Sequence, residues 1–371
     1  MKSLFLSHEH ALAPGGGGQQ ICSREYVETL RVAGFDLKNV LFATDRTWAT
    51  RFRRRLRPAP YADLIPDEFA DRAAQSAKAH SPAYLFCNLY NLIPLGPLLR
   101  SLLPPETKLV LLSHGLASVD EVHAERIARR HTTGFSGSRQ PNNRLGAMMR
   151  IETEGLPAFD HVFTLAPFEV EITRWLGARS VSWVPRVLSG RNPLPWAPEG
   201  SRVGCVGTFD HPPNLEGLEL LCEALRRIGP GRLRLRVVTR SHSVLERLRT
   251  DYPFIDALGS MEDIGDLEAE AGTWSAFLHP LFCLAMGCST KLATAINWGL
   301  PVLTTPAGVR GYRWTDGGVS LAATPDELAK NALDALDKNR AEALRVDVLK
   351  AARSAPGIDE VAAQMRQALG A

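Results

Sequence analysis

The 371-residue chain has no run of about 18 apolar residues, the length needed to span a bilayer. Its six cysteines (Cys22, Cys87, Cys205, Cys222, Cys283, Cys288) form no CxxC pair, which argues against a zinc site and for free thiols in a reduced, intracellular protein. An excess of charge of one sign is lacking too. A net charge of +3 is too mild for a nucleic-acid footprint, which needs a strongly basic face. No GxSxG elbow, HExxH helix, EF-hand loop or Walker Gly-Lys-Ser/Thr occurs, so the common serine, zinc, calcium and P-loop chemistries have no anchor. The start, MKSLFLSHEH, has only a brief apolar stretch and no small-residue cleavage pattern; it reads as a first strand. His8 and His10 stand two apart after that strand and read as loop residues, not a metal pair.

What remains is soluble and globular: 45% hydrophobic and 22% charged. The length predicts two domains. Short apolar runs (KSLFLS, LKNVLFAT, AYLFCNLY, KLVLLSHG) alternate with helix-like stretches such as QQICSREYVETLRVAG and DEFADRAAQSAKAH. The runs show no polar alternation, as expected of parallel strands covered on both faces. Pro185, Pro193, Pro195 and Pro198 fall within 14 positions and mark a linker. A second βα series begins at SRVGCVGTF. The expected division is 1–185, linker 186–198, 199–350, and a last helical piece 351–371 that could return to the first domain. Two α/β halves of this kind face each other across a cleft.

The stretch STKLATAINWGLPVLTTPAG, from Ser289 to Gly308, predicts a short helix capped by the hydroxyl of Ser289 or Thr290, ended by Gly299 and stopped by Pro301. A helix start attracts anions. Lys291 puts a positive charge in the first turn, against the dipole, at a cost of about 0.3–1 kcal/mol unless an anion sits there. A solvated surface Lys is the plain alternative.

The longer segment HPLFCLAMGCSTKLATAINWGLPVLTTPAGVRGY resembles the donor-site signature of GT-B glycosyltransferases of the family-4 type. Three other segments resemble that family in the right order: GGGGQQICSREYVETLRVAGF, the stretch from MMRIETEG to VSWVP, and VGCVGTFDHPPNLEGLELL. The resemblance implies an α/β fold of two Rossmann-like domains facing a cleft. It also implies transfer of a sugar from a nucleotide-sugar to an acceptor hydroxyl with retained configuration, in glycan or glycoconjugate biosynthesis. No cofactor and no metal are implied, because helix ends and Lys or Arg side chains neutralise the leaving diphosphate. By the same resemblance Lys291 contacts the donor phosphates and His114 the transferred sugar. Gly16, Gly17 and Gly18 close onto the diphosphate, where a Cβ would block close approach. Gly207, Thr208, Gly287, Ser289 and Thr290 line the donor. Asn214 reads as a helix cap, and Glu154 matches a recurrent acidic position.

Two departures stand out. Where the family has an acidic residue that holds the ribose, this chain has Thr294, which lacks two charged acceptors. The strand LRLRVVT leads into RSHS and not into glycines, so Arg240 is a candidate compensating phosphate partner. Five arginines (Arg51, Arg53, Arg54, Arg55, Arg57) read either as a solvated face or as contact with an anionic surface. The expectation is a cytoplasmic enzyme, at most peripheral at the inner face of the membrane, whose acceptor is a saccharide or lipid-linked. The alternatives are a catalytically inactive glycosyltransferase-like subunit that stabilises a partner, and a GT-B sugar-nucleotide epimerase.

Overall fold

A computed structural model describes residues 1–15, 17–44, 48, 65–66, 68–131, 143–188 and 193–371. The arginine run 51–57 and Gly16 lie outside the described residues.

Two parallel six-stranded sheets organise the chain. The first holds β1 (Lys2–His8), β2 (Asp36–Phe42), β3 (Tyr84–Asn88), β4 (Lys108–Leu112), β5 (His161–Thr164) and β6 (Val181–Trp183), in the order β2-β1-β3-β4-β5-β6. Helices α1 (Gly18–Val32), α2 (Phe69–His80), α3 (Gly96–Leu102), α4 (Ala117–His131), α5 (Asn143–Gly155) and α6 (Pro167–Trp175) connect these strands. The second sheet holds β7 (Arg202–Val206), β8 (Arg234–Val238), β9 (Ile255–Gly259), β10 (Ala276–His279), β11 (Val302–Thr304) and β12 (Ser320–Leu321), in the order β12-β11-β10-β7-β8-β9. Its helices are α7 (Pro212–Ile228), α8 (His242–Asp251), α9 (Ile264–Ala271), α10 (Thr290–Asn297) and α11 (Pro325–Asp334), followed by α12 (Lys338–Ser354) and α13 (Ile358–Leu369).

The apolar runs explain the burial. Strand β3 is buried at every position, and helices cover each sheet on both faces. The last helix, α13, gives Val361, Ala362 and Met365 to the core beneath α1 in the first domain. Gln364 Nε2 donates to the Trp183 carbonyl (2.7 Å), fixing that crossing.

Strand order reverses between β1 and β3 in the first sheet and between β10 and β7 in the second. Crevices beyond the carboxyl ends of strands at such points are where α/β sheets bind ligands. The glycine-rich turn after β1, Asn88 at the end of β3, Gly207 after β7 and the loop after β10 all sit there. Among the described residues no helix is long and apolar enough to cross a membrane.

Candidate donor site between the two domains

Helix α10 begins as its sequence predicts, with Ser289 at the N-cap in extended conformation. The expected hydroxyl cap is absent: no side-chain oxygen of Ser289 accepts from the first turn. The Tyr312 hydroxyl instead accepts from Ala293 N at 2.9 Å and donates to the Ser289 carbonyl. The N–H groups that precede Ala293 are left for other partners. At the far end Gly299 takes φ +65°, and Leu300 N closes back on Ala295 O (3.1 Å).

Lys291 lies in the first turn and is half-buried. It makes no ion pair or hydrogen bond among the described residues. Protein surrounds its ammonium, which pushes its pKa down to about 8; the neighbouring Cys205 pulls weakly the other way. His279, at the end of β10, is fully enclosed and stays neutral, its pKa lowered to about 3 by burial first and then by Lys291 and Arg310. The sequence reading named neither His279 nor Tyr312.

Gly18 stands directly opposite this helix start. A Cβ on Gly18 would sit 3.0 Å from Thr290 Oγ1, so the first domain's glycine turn touches the second domain's helix. Gly17 is the N-cap of α1 and is exposed. Gly287 approaches the first domain as closely. It has φ +61°, and a Cβ there would lie 2.2 Å from the His114 carbonyl oxygen. Only glycine satisfies both conditions.

His114 follows β4 and is 8% exposed. Its Nε2 lies 2.8 Å from Asn88 Oδ1, and its ring packs against Tyr26 (centroids 5.5 Å apart). Lys291, Thr290, Ser289, Gly287, His114 and Gly18 are therefore neighbours across the domain boundary. Gly207 and Thr208 end β7 on the second-domain side, where Asn214 Nδ2 donates to the Thr208 carbonyl (3.0 Å). Asn214 thus pins the loop before α7 and does not cap the helix. Arg240 is not drawn into this group. It is exposed and paired with Glu262 at 3.1 Å. Glu154 is exposed, whereas Glu152, two residues earlier in α5, is buried and accepts from Ser118 N. His8 and His10 are held in a local chain through Thr44 and Gln20.

Carboxylates missed by the sequence reading join the domains. Asp120 accepts from Met286 N (2.7 Å) and pairs with His211 (2.8 Å). Glu169, with no exposed surface, accepts from Gly287 N at 2.8 Å. Burial pushes Glu169 up to about 7, against the pull of the Gly287 N–H and of Arg310. Arg126 grips Glu216 with two bonds (2.7 and 2.6 Å). Only the tertiary arrangement brings these pairs together, since their partners lie 90 or more positions apart in the chain.

A cavity of about 770 Å³ runs along the other flank of α10, between Thr290, Thr294 and Asn297 and the α1 residues Ile21, Arg24 and Glu28. Lys291 does not line it. Thr294, which stands where the resemblance expects an acidic residue, lies on this flank, and its hydroxyl donates back to the Thr290 carbonyl (3.2 Å). Among the described residues no group of three or more His, Cys, Asp or Glu is arranged to hold a metal ion.

Comparison with known proteins bears on this arrangement. Residues 200–338 match the family described as Glycosyl transferases group 1. The matched segment holds β7 to β12 together with α10. No curated protein matches the chain. Over its full length the chain superimposes on sucrose-phosphate synthase from Thermosynechococcus elongatus, with TM-score 0.69 and 18% identity over 98% of that chain. It also superimposes on Anabaena HepE in complex with UDP-glucose (TM-score 0.64, 15% identity, 100% of this chain and 99% of that one). A third match is WaaG, a glycosyltransferase involved in lipopolysaccharide biosynthesis (TM-score 0.57, 15% identity, 100% of both chains). At such identities these likenesses show the fold, which is the GT-B arrangement of two Rossmann-like domains.

Proposed function

We propose that this protein transfers a sugar from a nucleotide-sugar to an acceptor hydroxyl, with retention of configuration. The observation that carries the reading is the start of α10. A cation without a partner among the described residues and uncapped helix N–H groups lie at the domain boundary, against the Gly18 turn. A diphosphate would meet the helix dipole and the Lys291 charge together. The family match of residues 200–338 and the full-length fold likeness support the same reading. HepE was solved with UDP-glucose, which makes nucleoside diphosphates the natural probes.

In this reading Lys291 and the first turn of α10 neutralise the departing diphosphate. The flank bearing Thr294 takes the nucleoside, and His114 meets the sugar. Catalysis is then positioning and charge stabilisation across a closing cleft, with no separate base required. The acceptor is a saccharide or a lipid-linked group.

The inactive-subunit reading draws on two observations: Thr294 supplies no carboxylate, and Arg240 is tied to Glu262. One experiment separates the readings. The purified protein is incubated with a panel of nucleotide-sugars and followed by mass spectrometry, alongside calorimetry with UDP, GDP, dTDP and ADP. Release of nucleoside diphosphate supports a transferase. A new sugar isomer points to an epimerase. Absence of binding to all four diphosphates points to an inactive subunit. Lys291→Ala should weaken diphosphate binding by about 1.5–3 kcal/mol, the range for hydrogen bonds to charged groups. Unchanged affinity would remove Lys291 from the site.

A further inference from the structure

The hydrogen bonds beneath His114 decide which of its nitrogens carries the proton. Ser7, Ser23 and Asn88 have no exposed surface. The Ser7 hydroxyl donates to the His8 carbonyl (3.2 Å) and the Ser23 hydroxyl to the Gln19 carbonyl (2.8 Å). Each hydroxyl has one proton, so both oxygens are left as acceptors. Asn88 Nδ2 lies 2.9 Å from Ser7 Oγ and 3.0 Å from Ser23 Oγ and gives one proton to each. Turning the amide over would place its oxygen against two hydroxyls whose protons are already committed, and would break both serine–carbonyl bonds. Asn88 Oδ1 must therefore face His114, and at 2.8 Å it can only accept. The proton is on Nε2.

The other nitrogen follows. In a neutral imidazole with Nε2 protonated, Nδ1 is a bare acceptor. It is buried and has no partner among the described residues. The Cys22 sulfur lies beside the ring, but it makes no hydrogen bond of acceptable geometry to Nδ1. A buried acceptor left unmatched carries a desolvation penalty, which a ligand proton would relieve.

We propose that Asn88 is the positioning residue that locks His114 as the Nε2–H tautomer. Nδ1 then meets the donor sugar as a bare acceptor and selects a sugar presenting a hydroxyl there over one presenting a carboxylate. A hydroxyl brings its own proton to the bare Nδ1 of the neutral ring; a carboxylate brings none and is met only after Nδ1 takes a proton from solvent, so the neutral ring favours the hydroxyl. This selectivity rests on the nucleotide-sugar reading of the site. The tautomer does not.

The test is nitrogen NMR on the full chain with 15N-labelled histidine, the His114 signals being assigned by comparison with His114→Asn. The expected wild-type spectrum of the neutral ring shows a proton on Nε2 and a bare Nδ1. Asn88→Ala should lose this preference and show both tautomers. A wild-type proton on Nδ1, or an Asn88→Ala spectrum identical to wild type, overturns the proposal. The wild-type spectrum needs no variant to fold and no donor to bind. Turnover then tests selection with hexose and hexuronate donors matched on UDP, GDP and dTDP. Wild type should favour the hexose, and Asn88→Ala should lose about 10–100-fold in kcat, the scale for partners that orient a histidine. A wild-type preference for the hexuronate overturns the selectivity. Turnover of neither donor sinks the proposed function and leaves the tautomer standing.

Discussion

On the first-domain side of the cleft every proton of the Ser7, Ser23 and Asn88 side chains is committed to a neighbour, and the group left over, His114 Nδ1, is an acceptor. On the second-domain side the groups left over are donors: the Lys291 ammonium and the start of α10. The first wall is built on the carboxyl ends of buried strands and is rigid in its hydrogen bonding. The second is a helix end whose charge is held back by burial. One wall thus offers an acceptor and the other offers donors, and under the proposed function a single nucleotide-sugar carries the partner for each.

The largest effect on ligand binding should come from titrating the second wall. Lys291 has a pKa of about 8 in the free protein, below the ordinary 10.5, because burial disfavours its charged form. A bound diphosphate favours that charge and raises the pKa again. Binding therefore takes up a proton around pH 8–10. Affinity for UDP, or whichever diphosphate binds best, should fall as pH rises through 8, approaching about tenfold per unit, or 1.4 kcal/mol. Lys291→Arg keeps its charge over this range and should flatten the profile. Calorimetry at pH 7 and 9 decides: equal wild-type affinities would show that the ammonium is not part of the site.

Next comes the seam between the walls. Glu169 titrates at about 7 in the folded chain, raised from 4.5 by burial. A raised carboxyl pKa means the folded state holds the proton more tightly, so its contribution is full below 4.5 and is lost as pH rises to 7. The shift corresponds to about 3 kcal/mol as an upper bound. Glu169→Gln keeps an acceptor for Gly287 N and removes the charge. It should therefore stabilise the protein at pH 8 by up to about 3 kcal/mol and change little at pH 5. Urea unfolding at both pH values checks this; the same increment at each would show that charge burial is not the cause.

The two sides were unequally legible in the sequence. The helix start, its glycine stop and Lys291 lie within one continuous stretch, so helix-end rules and family resemblance both reach them. The expected cap is absent, and Tyr312, 23 positions after Ser289, inserts between the Ser289 carbonyl and Ala293 N, a partner that local rules do not see. His114 was legible as a residue after a strand. Its tautomer was not, because that depends on Ser7 and Asn88, brought together by pairing of β1, β3 and β4, and on Ser23 of the overlying α1. The sheets themselves were readable because unbroken apolar runs with intervening helices leave few other ways to bury both faces. Glu169 and Asp120 carried no local signal, as an acidic residue near a helix start is common for other reasons.

The contact between the walls gives a smaller effect. Gly18→Ala places a methyl 3.0 Å from Thr290 Oγ1, tighter than ordinary contact. It should weaken diphosphate binding by about 1 kcal/mol, within the usual coupling range for touching residues. Thr290→Ala removes the obstacle, so the double variant should regain most of the loss. A strictly additive cycle would mean that the two residues do not meet when ligand is bound.

Arg240 should give the smallest effect. It was the candidate to compensate for Thr294, yet its guanidinium is 77% exposed and engaged with an equally exposed Glu262. An exposed pair of this kind contributes about 0–1 kcal/mol to stability. Arg240→Ala should accordingly leave diphosphate affinity within about twofold of wild type, or 0.4 kcal/mol. Swinging onto the phosphates would require Arg240 to leave Glu262, and Glu262→Gln would then tighten binding by freeing it. Calorimetry on the two variants separates the cases. If Arg240→Ala costs as much as Lys291→Ala, the second wall carries two cations and not one, and the contrast between the walls is greater than the side-chain positions alone convey.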